Sequence, residues 1–202
     1  MKLYVLPGAC SLASAISLHE AGIPFELLKV DRRTKTVGGR DFTEINPKGY
    51  VPALQLDDGQ VLTENVAVLQ YIADRQPAAK LAPPAGTLER YRLQEWLSFI
   101  NSEVHKGFSP LFNSAATEET KQYARNLLQK RLTWLNQAIG SRPFLMGEQF
   151  TVADAYLFTV LRWGALVNVD IGQYPALKSF LERVGARPRV IEALTAEGLI
   201  KK

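Results

Sequence analysis

Asn46-Pro47-Lys48-Gly49-Tyr50-Val51-Pro52-Ala53-Leu54-Gln55-Leu56-Asp57-Asp58-Gly59-Gln60-Val61-Leu62-Thr63-Glu64-Asn65 is the stretch whose reading decides the fold. Residues 46–49 have turn chemistry, with Asn, Pro and Gly each favouring it for its own reason. Residues 53–56 and 61–63 are apolar runs on either side of Asp57-Asp58-Gly59-Gln60, which predicts a β-hairpin closed by an Asp-Gly turn. Beyond it, Val68, Leu69 and Ile72 recur at helical spacing, so the chain is expected to continue as a helix over 64–75. Pro52, immediately before the first hairpin strand, suits an edge position or a cis bond.

Toward the N-terminus, 2–6 reads as a short strand and Pro7-Gly8-Ala9 as a turn. Residues 11–21 read as a helix ended by Gly22, and 24–30 as a second strand. Strand, helix and strand within thirty residues predict a parallel βαβ unit. The polar, basic stretch 31–40, with Gly38-Gly39, is read as a loop. Toward the C-terminus, Pro77, Pro83, Pro84 and Gly86 mark a linker, after which strand signals stop. Helices are predicted over 88–112, 117–139, 151–169, 175–184 and 188–194, the last with proline in its first turn. The expected fold class is therefore α/β plus all-α: a βαβ-ββα domain over 1–77, a linker over 78–87, and a helical bundle over 88–202.

Composition narrows the function classes. The chain has 202 residues, of which 47% are apolar, enough to bury a sizeable core. One cysteine and two histidines exclude an internal disulfide and argue against a structural zinc site, so no metal is expected. No apolar run has the length of a transmembrane helix or a signal peptide, and the cytoplasm is the expected compartment. The net charge of +4 is spread among acids with no basic cluster interleaved with aromatics, which argues against nucleic acid.

Four constellations could carry chemistry. Cys10 follows the opening strand at the start of the first helix, where the dipole and unpaired N–H groups stabilise a thiolate; the alternative is a small buried hydrophobe. Position 13 is alanine, so a redox role for Cys10 needs its second thiol from a ligand. Val51-Pro52, if cis, would turn the Val51 backbone outward to pair with an extended peptide; the alternative is an ordinary loop proline. Thr63-Glu64-Asn65 opens a helix after a strand, where N–H groups receive a carboxylate and Glu64 an ammonium, or where the three residues merely cap the helix. Thr151-Val152-Ala153-Asp154 has the spacing of a capping box with Asp in place of Glu, and is read as structural.

Taken in register, Pro7-Gly8-Ala9-Cys10-Ser11, residues 46–54, Leu62-Thr63-Glu64-Asn65, His105-Lys106-Gly107-Phe108 and Phe150-Thr151-Val152-Ala153-Asp154-Ala155 resemble the soluble glutathione S-transferase family. The resemblance spans the whole chain and is closest to the bacterial beta class, which bears its cysteine in the first helix turn. It implies a thioredoxin-like N-terminal domain, a helical C-terminal domain and a homodimer. It further implies that Cys10 faces the glutathione sulfur, that Val51, set by a cis Pro52, pairs with the cysteinyl unit, and that Glu64 and Asn65 hold the γ-glutamyl end. Lys35 would meet the glycyl carboxylate, and His105 would act with Cys10 as a catalytic residue near the sulfur. Ser98, Ser102 and Glu103 would reach glutathione across the dimer interface. Asn65 stands where the family often has Ser, and Ser98 where close relatives have Asn. Tyr4 and Ser11 are of the sulfur-activating types of other classes, Ser11 being read as a candidate participant and Tyr4 as a strand residue.

The implied function is conjugation of reduced glutathione, a co-substrate rather than a cofactor, to small hydrophobic electrophiles in an apolar cleft, as in detoxification. The alternatives are glutathione-dependent thiol-disulfide exchange or peroxidase chemistry through Cys10, and a non-catalytic binding module on the same fold.

Overall fold

The computed structural model describes residues 1–201, and they fall into two compact units. The first comprises Met1–Ala82 and the segment from Ala186 onward; the second is Pro83–Gly185.

In the first unit, β1 (Lys2–Val5), α1 (Ser11–Ala21) and β2 (Glu26–Lys29) form the expected βαβ, with β1 and β2 parallel and Lys2 opposite Glu26. After β3 (Thr36–Val37) and β4 (Arg40–Asp41) come the hairpin strands β5 (Ala53–Gln55) and β6 (Val61–Thr63), then α2 (Asn65–Arg75). The main sheet runs β2-β1-β5-β6, with β5 antiparallel to both β1 and β6. This is the thioredoxin-like mixed sheet. Its central strand β1 is covered on both faces: Leu3 and Val5 are fully buried, and Tyr4, on the other side of the pleat, packs with Val30, Phe42 and Ala53. α1 has almost no polar face to give away. Leu12, Ala13, Ala15, Ile16 and Leu18 are all buried, because α1 packs against the sheet, α2 and α8 (Pro188–Glu197). The α1–α8 contact is pinned by Arg187, whose Nε and Nη2 donate to the two carboxylate oxygens of Glu20 at 2.6 and 2.7 Å.

Two features of this unit differ from the sequence reading. Residues 36–40, within the stretch read as loop, belong to the β3–β4 hairpin; Gly38 and Gly39 both have positive φ, 55° and 81°, as a two-residue primed turn demands. The segment from Ala186 onward groups with the first unit, whereas the sequence reading places it in the 88–202 bundle.

The second unit holds α3 (Leu88–Phe99), a π turn over Ile100–His105, α4 (Lys106–Phe112), α5 (Glu118–Ile139), α6 (Val152–Leu161) and α7 (Pro175–Gly185). Every residue of α6 is buried, because α6 packs against α3, the π turn and α7, where Leu93, Leu97, Val104, Leu177 and Phe180 are also buried. α6 stops at Leu161, short of the predicted Val169. A 3-10 turn over Arg162–Leu166 follows, and the Gly164 carbonyl accepts from the N–H groups of Val167 and Val169, which turns the chain away. At its start, the Thr151 N–H and hydroxyl both donate to Asp154 Oδ2 at 2.8 Å, the reciprocal cap read from the sequence. Among the described residues, no helix is long and apolar enough to cross a membrane.

Candidate functional site

Cys10 is held by a turn with three ties. Ala9 N–H donates to the Leu6 carbonyl, Leu6 N–H to Ser11 Oγ, and Gly8 N–H to Glu197 Oε2 on α8, at 2.9, 3.3 and 2.7 Å. Gly8 needs its φ of +75° to enter this turn. Cys10 is thereby fixed as the N-cap of α1, half-buried, with its thiol donating to the Val51 carbonyl at 3.3 Å. The helix dipole there favours the thiolate. Ser11 is fully buried and its hydroxyl is engaged with both the Leu6 N–H and carbonyl, so it serves the turn. Tyr4 is a core strand residue whose hydroxyl donates to Gln55 Oε1 at 3.0 Å, and burial pushes its pKa up.

The Val51-Pro52 bond is cis. The preceding turn is built by Asn46, which is buried: its Nδ2 donates to the Tyr50 carbonyl at 2.7 Å, its Oδ1 accepts from Lys48 N–H, and its carbonyl accepts from Gly49 N–H. Glu64 is the N-cap of α2 with φ +66°, a left-handed value that a non-glycine residue rarely holds. Its carboxylate is exposed and meets Lys48 Nζ at 2.6 Å, while the same ammonium donates to Thr63 Oγ1 at 3.1 Å. Asn65 is buried; its Oδ1 accepts from Ser14 Oγ at 2.8 Å and its Nδ2 has no partner among the described residues. Lys35 is exposed with φ +57°, its backbone holding Asp31 and Phe42. The first unit thus carries Cys10, Val51, Pro52, Glu64, Asn65 and Lys35, and adds Lys48 and Ser14, which the sequence reading did not select. Nothing in the sequence pairs Lys48 with a glutamate sixteen positions on.

In the second unit His105 closes the π turn. Its Nδ1 lies 2.7 Å from the Tyr156 hydroxyl, and that hydroxyl donates to Asn101 Oδ1 at 3.0 Å. Trp163 sits edge-on to the imidazole at 4.8 Å between centroids, and Phe108 and Phe112 pack edge-on to Trp163. Burial, followed by the charge of Lys106, lowers the His105 pKa to about 4; the ring is neutral at physiological pH. Ser98 and Ser102 are exposed one turn apart, with the Ser102 hydroxyl donating to the Ser98 carbonyl, and Glu103 accepts from Arg131 Nε at 2.6 Å. These three do not join the His105 cluster. Tyr156, Asn101 and Trp163 were missed. The available signals were a tyrosine within a mostly apolar helix and an asparagine four residues before the histidine. Among the described residues, no group of three or more His, Cys, Asp or Glu side chains gathers to hold a metal.

Family models for the glutathione S-transferase N-terminal domain and C-terminal domain match residues 9–75 and 99–188. The glutathione S-transferase GstA of Escherichia coli O157:H7 is 48% identical, over 98% of this chain and 100% of its own. The bacterial beta class glutathione S-transferase of Sphingomonas chungbukensis superposes with a TM-score of 0.95 at 49% identity, over 99% of this chain and 100% of that one. A sphingomonad glutathione S-transferase solved in complex with glutathione gives a TM-score of 0.95 at 48% identity, with the same coverage. A likeness of this extent, running through both units and every stretch that builds them, settles kinship: the chain belongs to the glutathione S-transferase family, in its bacterial beta class.

Proposed function

We propose that this protein conjugates reduced glutathione to small hydrophobic electrophiles in the cytoplasm, as a homodimer, in the manner of a detoxifying enzyme. The observation that carries the reading is the Cys10 thiol at the N-cap of α1, 3.3 Å from the Val51 carbonyl, in a unit whose relatives include one solved with glutathione bound. Glutathione offers two carboxylates, one ammonium, an extended backbone and a thiol. Lys35, the α2 start at Asn65, the Glu64 carboxylate, the Val51 backbone beside Pro52, and Cys10 supply one complement to each. The γ-glutamyl ammonium competes with Lys48 for Glu64. Ser98, Ser102 and Glu103 serve the glutathione of the other subunit, and neutral His105 accepts the thiol proton.

Catalysis consists in favouring thiolate over thiol. The sulfur electron pair then forms the C–S bond, the leaving group departs with its own pair, and the proton passes to solvent. The test is conjugation of glutathione to an activated aromatic halide, wild type beside Cys10→Ala. Wild-type turnover supports the reading, and failure of glutathione to bind at millimolar concentration overturns it.

A half-buried single thiol at a helix N-cap also favours thiol-disulfide exchange. The Cys10 thiolate would attack the disulfide between glutathione and a substrate, forming a mixed disulfide with glutathione and releasing the substrate thiolate. A second glutathione thiolate would then release glutathione disulfide. Loss of exchange in Cys10→Ala with conjugation retained would assign the two activities separately.

A further inference from the structure

The hydrogen-bond chain behind His105 determines more than the position of the ring. The π turn brings this about: Lys106 N–H donates to the Asn101 carbonyl, five residues back, and the Asn101 and His105 side chains both reach the Tyr156 hydroxyl. Such single-turn π segments recur at functional sites. The phenol has one proton, and a carbonyl oxygen only accepts, so at Asn101 Oδ1 the phenol must donate. Its oxygen is then an acceptor toward His105, and the proton between them belongs to Nδ1. The ring cannot turn over without losing this partner, and Trp163 edge-on at 4.8 Å and the Tyr156 ring perpendicular at 5.9 Å hold its plane.

We propose that Tyr156, itself oriented by Asn101, is a positioning residue that fixes His105 as the Nδ1–H tautomer and leaves Nε2 with a lone pair to receive the glutathione thiol proton. The proposal rests on the reading of His105 as that acceptor. In the step, the S–H bond breaks and an Nε2–H bond forms. The imidazolium, disfavoured by burial, hands its proton to water, and the sulfur keeps the electron pair for attack. A ring with the opposite tautomer presents Nε2–H and cannot accept. Tyr156 and Asn101 thus choose between an acceptor and a donor at one atom.

Two histidines in the chain make the test direct. Long-range proton–nitrogen spectra of histidine-labelled protein at pH 8, with His19→Gln to assign the pair, report which nitrogen of His105 carries the proton. The expected result is a protonated Nδ1 in wild type and in Asn101→Asp, which retains an acceptor for the phenol. In Tyr156→Phe and Asn101→Ala the Nε2–H form should appear. Tyr156→Phe should lower kcat about ten-fold, with the KM for glutathione within about two-fold of wild type. Asn101 is only partly buried, so its variants hold the test if Tyr156→Phe folds poorly. A wild-type Nε2–H signal, or an unchanged tautomer in both Tyr156→Phe and Asn101→Ala, overturns the positioning role. An unchanged conjugation rate in His105→Gln overturns the acceptor reading on which it stands, even with the expected spectra.

Discussion

Replacing Asp154 by alanine removes one carboxylate that ends several backbone and side-chain donors at once. Asp154 is fully buried at the start of α6. Its Oδ1 accepts from Leu145 N–H, and its Oδ2 from the Thr151 N–H and hydroxyl, each at 2.8 Å. Loss of a helix cap costs about 1 kcal/mol. A buried donor left without a partner costs about 1–3 kcal/mol, and Leu145, itself fully buried, has no water to turn to. The sum is about 2–4 kcal/mol for Asp154→Ala, with no separate charge for the hydroxyl of Thr151, which can rotate and recover part of its loss. For a chain of this size, that corresponds to a fall in Tm of roughly 4–16 °C. Asp154→Asn keeps the volume but turns an amide N–H₂ toward one of the N–H groups, so it should recover less than half of the loss. Thermal unfolding followed by circular dichroism, beside wild type, measures both. A fall of less than about 2 °C in Asp154→Ala would refute the reasoning, since the cap alone exceeds it.

Gly164→Ala should destabilise the protein by about 2 kcal/mol or more. A Cβ there would stand 2.5 Å from the Val169 carbonyl and 2.8 Å from Ile171 Cγ1, and the first of these is backbone; an unchanged denaturation midpoint would count against the packing described. His105 governs part of the acid sensitivity. Its pKa is about 4 in the fold and about 6.5 unfolded, so between those values the unfolded chain binds a proton that the fold does not. Stability therefore declines as pH falls from about 6.5 to about 4, by up to about 3 kcal/mol, and this contribution is constant outside that window. Denaturant titrations at pH 7, 5.5 and 4 should show a shallower decline in His105→Gln, and parallel curves for the two proteins would remove His105 from the account.

Legibility in the sequence followed how local each determinant is. The β5–β6 hairpin could be read because an Asp-Gly turn and its flanking apolar runs are contiguous, and the α6 cap because its partners lie three residues apart. The β3–β4 hairpin carried its own signal in Gly38-Gly39, but strands of two residues are too short to show an alternation that would support it. The π turn has no side-chain signature; one extra residue in a helix of continuous apolar spacing changes which groups meet without changing the pattern. By contrast, Cys10, Val51 and Glu64 could be nominated because turns and helix starts are local signals. The ties of Glu64 to Lys48, of Asn65 to Ser14 and of His105 to Tyr156 depend on tertiary approach across 16, 51 and 51 positions. The end of α6 fell early because Gly164 opens a route that helix propensity does not foresee.

The docking of α8 against α1 has a consequence for how the chain is made. A ribosome delivers β1, α1 and the whole sheet long before Arg187 and Glu197, yet Glu20 and the Gly8 N–H take their partners from those last residues. The half that begins first is finished last, and the helical half emerges complete while its predecessor is still waiting. A nascent chain halted at residue 185 would present α1 with its α8-facing side bare. A fragment cut after Ala82 inherits the same exposed face permanently, so the thioredoxin-like half is a domain in space without being one in sequence.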